Sequence, residues 1–126
     1  MRIYLLPAMV LLFASCTSET SDKQHTGSDA PVVVDKGQAL FRQYCSTCHN
    51  PLKNLTGPAL KGAVARWAND TTSLKAFIRN PGKMIASGDP RAVAAFEAYK
   101  PTVMTAFPQL SNEDLDLIIH YFENAR

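Results

Sequence analysis

Four stretches of the chain carry apolar residues at helical spacing. In "DKGQALFRQYC", Gly37, Leu40, Phe41 and Tyr44 follow i, i+3, i+4, i+7 and share one face. Asp35 is placed to cap that helix, with Gln38 three residues on. "TTSLKAFIRNP" puts Leu74, Phe77 and Ile78 together, with Thr71 or Thr72 as the cap and Asn80-Pro81 as the stop. In "GDPRAVAAFEAYKP", Asp89 caps, Pro90 takes the first turn and Pro101 ends the helix. The last helix starts at Ser111, with Asp114 in a capping-box position, and Leu115, Ile118, Ile119 and Phe122 form its stripe. No alternating run is long enough for a sheet, apart from a weak "PVVV" at the edge, and no internal repeat is visible. The pattern predicts an all-α domain of short helices and long loops.

The N-terminus follows a different rule. "MRIYLLPAMVLLFASC" has a basic Arg2, an apolar run from Ile3 to Phe13, then small Ala14 and Ser15. This is the layout of an export signal, and the run is too short to span a bilayer comfortably. Its end resembles a bacterial lipobox, which implies Cys16 as a lipidated first mature residue whose acyl chains anchor the protein to a membrane surface. An ordinary secretory signal with an incidental thiol at Cys16 is the alternative. The next stretch, "TSETSDKQHTGSDAP", is polar and aperiodic, and reads as a flexible tether in which His25 is solvated. The expected organisation is a lipoprotein-type signal at 1–15, a lipidated Cys and tether at 16–34, and a folded domain at 35–126. The location is extracytoplasmic, in a bacterial cell envelope.

Composition narrows the picture a little. A formal charge of +2 without any Arg/Lys run argues against nucleic acid as a partner. A domain of about 90 residues is marginal on side-chain packing alone. Long loops in so small a domain are hard to hold without a central ligand.

The three cysteines are an odd number, so no simple disulfide framework accounts for them. Cys45, Cys48 and His49 stand together as "CSTCH", the C-x-x-C-H pattern of covalent haem attachment. Thiols three positions apart at a helix end can each add to one vinyl group, and the adjacent His can then ligate iron. Half of a zinc site is a competing reading, but zinc needs four ligands and no second Cys pair exists. A thioredoxin-like redox pair expects a βαβ setting. With an export signal and an all-helical domain, one covalent haem c through Cys45 and Cys48 is the favoured reading. Cys16 takes the lipid, and no disulfide is left to form.

From about Asp35 to Arg126 the chain resembles a class I mono-haem cytochrome c. Gly37 and Phe41 precede "CSTCH" where the family has a Gly and an aromatic, and "TGPAL" is similar to its Gly-Pro-x-Leu. The resemblance implies a cytochrome c fold, with the first helix crossed on the last and Tyr121 and Phe122 supplying aromatic contacts. It implies that the Pro58 carbonyl accepts from the second ring nitrogen of His49, and that Leu60 packs on the haem. Trp67, Arg79 and Lys83 are candidate propionate partners. For the sixth iron position, His25 lies in the tether and His120 faces away from the buried stripe. Met84 and Met104 both fall in predicted loops, and geometry alone leaves both open. "MTAFPQLSNEDL" resembles the family's distal segment, which implies Met104. His49/Met104 ligation closes both axial sites and implies a one-electron carrier in a respiratory chain rather than an enzyme. Its partners are then redox proteins, with no small-molecule substrate. The alternative is a haem sensor or enzyme component in which Met104 dissociates to admit a small ligand.

Overall fold

The computed structural model describes residues 29–126, with side-chain surroundings from Lys36 onward. Residues 1–28, which include the expected signal, Cys16 and His25, lie outside the described residues. Six α-helices follow one another: α1 Asp29–Tyr44, α2 Ala63–Arg66, α3 Thr71–Arg79, α4 Pro81–Ala86, α5 Pro90–Tyr99 and α6 Asn112–Glu123. Among the described residues there is no strand, and no helix is long and apolar enough to cross a membrane.

α1 crosses α6. The crossing is close because position 37 has no side chain: a Cβ there would run into the Leu117 carbonyl oxygen and lie 3.2 Å from Tyr121 Cβ. Phe41 sets its ring against Tyr121 at 5.2 Å between centroids. Leu115, Ile118, Ile119 and Phe122 are all buried, as the α6 stripe predicts. Lys75 on α3 pairs with Asp116 on the outer side of α6.

Local hydrogen bonds account for most helix ends. Asp89 accepts from the backbone N–H of Arg91 and Ala92 at 3.0 Å, and Pro90 occupies the first turn of α5, as predicted. Ser111 and Asp114 close a reciprocal capping box on α6. Elsewhere the structure corrects the sequence reading. α1 begins at Asp29, so "PVVV" is helical and position 35 is interior to the helix rather than its cap. The cap of α3 is Asp70, which accepts from Ser73 N at 2.9 Å; Thr71 is already helical. Asn80 does end α3, but its side chain also accepts from Lys83 N and starts α4, with Pro81 in the first turn where a missing N–H costs nothing. Met84 therefore sits on a helix, not in a loop.

α2 was not foreseen, and it has a distant cause. Gly62 takes the left-handed conformation (φ 80°) ahead of it. Both oxygens of Glu123, at the far end of the chain, accept from the Gly62 and Val64 N–H groups at 2.8 Å. The last turn of α6 thus satisfies the first turn of α2.

Candidate functional site

The helices leave a cavity of about 900 Å³ between them. One wall is the end of α1. Cys45 N bonds Phe41 O at 2.8 Å, and His49 N bonds Cys45 O at 2.9 Å, so the chain makes one more turn through "CSTCH". That turn directs Cys45, Cys48 and His49 to the cavity. Cys45 is buried, Cys48 is exposed at the rim, and His49 is only 9% exposed. Burial pushes the Cys45 thiol up to about 11. A free thiol there is neutral at physiological pH, which does not suit a reactive dithiol pair. Among the described residues no group of three or more His, Cys, Asp and Glu side chains assembles, so the zinc reading finds no further ligands.

His49 is held by the loop that follows it. Its Nδ1 lies 2.9 Å from the Pro58 carbonyl oxygen, so Nδ1–H donates and Nε2 remains free. Gly57 N donates to Cys48 O at 2.8 Å, folding the loop back under the ring. A Cβ on Gly57 would lie 2.9 Å from His49 Nδ1 and closer still to Cε1. Glycine is therefore required at 57 for space. Leu60 also lines the cavity, with its N–H on Asn50 O.

The other walls are mostly apolar. α3 contributes Phe77 and Ile78, the chain after α5 contributes Met104 and Phe107, and α5 presents Arg91 and a run of alanines. Phe107 stands edge-on to Tyr44 at 5.8 Å. Met104 is half-buried and packs on the core. Met84 also touches the core, from α4, but it does not line the cavity. His120 is exposed on the outer face of α6.

The cations at the cavity are not the ones singled out from sequence. Arg66 and Arg91 line it; Arg79 and Lys83 do not. Arg79 instead donates from Nε to Leu110 O (2.9 Å) and from Nη2 to Asn112 Oδ1 (2.7 Å). Arg91 stands 5.1 Å over the Trp67 ring, donates to Trp67 O at 3.0 Å, and faces Asp70 and Asp89. Trp67 is buried against Phe77 at 5.0 Å. The one local signal for Arg91 was its place directly after an Asp-Pro helix start. Arg66 had none.

The residues fit a large flat apolar cofactor. Two thiols three positions apart open on the cavity, a His keeps one nitrogen free beside them, and the volume lies in the usual range for cofactor sites, roughly 300–1,000 Å³. The fold and site define a helical domain built around one covalently attached haem c, bound through Cys45 and Cys48. Comparison with known proteins agrees: the family model for cytochrome c matches residues 34–126, and the chain belongs to that family. A cytochrome c2 of Rhodopseudomonas palustris is 61% identical over 33 residues, 26% of this chain and 28% of that protein. A second cytochrome c2 of the same organism is 58% identical over a stretch of the same length. The matched part thus spans 28% of these relatives' own length. A solved cytochrome c from Rhodothermus marinus superposes with a TM-score of 0.60 at 29% identity, covering 75% of this chain and 76% of that one.

Proposed function

We propose that this chain is a one-electron carrier whose haem iron is held by His49 Nε2 and the Met104 sulfur. One observation carries the reading: of the two methionines the sequence left open, Met104 lines the cavity together with His49, while Met84 sits on α4 and does not line it. When bound, haem c supplies a reversible one-electron couple. The chain's own residues do the rest. Pro58 fixes the His49 tautomer and ring orientation. A thioether stabilises Fe(II), so a His/Met pair raises the reduction potential above that of a bis-His pair. Phe77, Ile78 and Phe107 keep water from the cavity and favour the same oxidation state. Held by both His49 and Met104, the iron would keep no position open for a substrate. Exchange then runs through the rim at the exposed Cys48, in brief contacts with redox partner proteins.

The rest of the proposal concerns placement. Residues 1–15 are removed on export, Cys16 receives the lipid, and the stretch from there to the start of α1 at Asp29 tethers the helical domain near a membrane on the extracytoplasmic side, within a respiratory chain. Two measurements test this. In the oxidised protein, the weak far-red Fe(III)–Met band should vanish in Met104→Ala and persist in Met84→Ala; the reverse pattern assigns the ligand to Met84. Cys16→Ala should move the haem-stained protein from the membrane to the soluble fraction, and unchanged membrane retention rejects the lipid anchor.

A further inference from the structure

We infer that Arg79 is a positioning residue for the sixth ligand: it anchors the foot of the segment that carries Met104 and so sets how readily the sulfur leaves the iron. This rests on the reading of Met104 as ligand given above.

Between α5 and α6 the chain must leave helix, pass the cavity and return. It is tied at both ends. At the α5 end Thr102 N donates to Tyr99 O at 3.1 Å. At the α6 end two consecutive α3 residues supply three hydrogen bonds, two to the segment and one to Asn112, the first residue of α6. Ile78 O accepts from Phe107 N at 3.2 Å; Arg79 Nε donates to Leu110 O at 2.9 Å, and Nη2 to Asn112 Oδ1 at 2.7 Å. Between these ties, among the described residues, residues 103–106 make no backbone hydrogen bond. Met104 is thus the centre of a span held by its ends, and Arg79 supplies two of the three bonds at one end.

The chemistry of the tie suits an arginine. Arg79 lies in the last turn of α3, where a cation meets the unpaired carbonyls favourably. Its fork reaches two acceptors at once, and both are uncharged. Among the described residues it has no carboxylate partner, so its work is directional hydrogen bonding, each bond being charge-assisted. Lysine, a point charge on a flexible stem, would not hold both acceptors. Leu110, the residue whose carbonyl is held, is buried, so this end is fixed by packing as well as by Arg79. Losing the fork should loosen the segment locally and leave the α1–α6 crossing in place.

The test uses the full holoprotein and three variants, Arg79→Gln, Arg79→Lys and Asn112→Ala. The last removes only one of the two bonds, at an exposed first-turn position of α6. Carbon monoxide binds reduced iron only when the sulfur has left, so its binding rate reports opening of the segment. Arg79→Gln should bind at least about tenfold faster than wild type, and Asn112→Ala and Arg79→Lys should fall between. The far-red band should remain in all of them at neutral pH, and the denaturant midpoint of helical circular dichroism should account for only a minor part of the acceleration. Rates within about twofold of wild type in both Arg79→Gln and Asn112→Ala overturn the inference. So does an acceleration matched in full by the loss of global stability, which marks a merely structural role. If wild type lacks the band, or Met104→Ala keeps it, the ligand reading itself fails and takes this inference with it. A band that depends on Met104 beside unchanged Arg79 and Asn112 variants overturns this inference alone.

Discussion

Gly37 of α1 and Leu117 of α6 meet backbone to backbone: there is no room for even a methyl group between Cα of one and the carbonyl oxygen of the other. The contact is with main chain, which cannot swing aside as a side-chain tip can. Gly37→Ala should therefore separate the two helices that carry much of the core and lower stability by roughly 1–3 kcal/mol, the usual cost of overpacking. Gly82 gives the opposite sign. It lies in the first turn of α4 with open space around the position a Cβ would take, so Gly82→Ala should be neutral or stabilise by about 0.5–1 kcal/mol. Denaturant midpoints of the two holoproteins check the pair.

Gly57 tests the orientation of His49. A methyl group there would press on the ring at Nδ1 and Cε1 and drive it from the Pro58 carbonyl. If His49 is the proximal ligand, Gly57→Ala should reduce the share of chains that mature with haem, on the order of tenfold, as losses of a ligand's supporting contact commonly do. Haem stain measured against total protein reads this directly. Lys53→Ala, at an exposed position of the same loop outside the cavity lining, should leave the ratio unchanged.

Three caps tie stability to pH. The Asp70 carboxyl is held below its ordinary value of 3.8 chiefly by its hydrogen bonds with Ser73. Asp89 is lowered mainly by the Ala92 N–H, and Asp114 by the Ser111 hydroxyl and N–H. The folded carboxyls thus take up protons at lower pH than the unfolded ones. The stability they add is complete above about pH 5 and is lost as pH falls through their folded values. The denaturant midpoint should be flat from about pH 7 to pH 5 and drop toward about pH 3. Replacing all three by Asn, which can still accept a backbone hydrogen bond, should make that drop shallower.

What could be read from sequence depended on how locally each feature is caused. "CSTCH" was legible because covalent attachment demands that spacing. The caps of α5 and α6 were legible because acceptor and N–H lie within three residues of each other. The failures have remote or double causes. α2 is capped by Glu123, some sixty positions away. Asn80-Pro81 predicts a stop, yet Asn80 ends one helix and begins another, which places Met84 on α4 rather than in a loop. Arg79 and Lys83 are the candidate propionate partners in the sequence, whereas the chain turns Arg66 and Arg91 to the cavity.

Arg91 offers the sharpest electrostatic test. It is a half-buried cation on the cavity wall, stacked over Trp67 and facing two carboxylates, Asp70 and Asp89. Removing its charge takes a cation from the cavity wall and leaves those carboxylates uncompensated behind it. They would stay ionised, because the hydrogen bonds that Asp70 accepts from Ser73 and Asp89 from the Ala92 N–H, ahead of Arg91's charge, hold them low. Negative charge near iron favours Fe(III), so Arg91→Gln should lower the reduction potential. Arg91→Lys keeps the charge but loses the planar face over the indole and the fork that also reaches Trp67 O. It should hold the potential near that of wild type and still lose stability through the weakened tie between α5 and the α2–α3 turn. Potentiometric titration separates the effects: a potential that falls equally in both variants would assign the shift to altered packing around Trp67 rather than to charge.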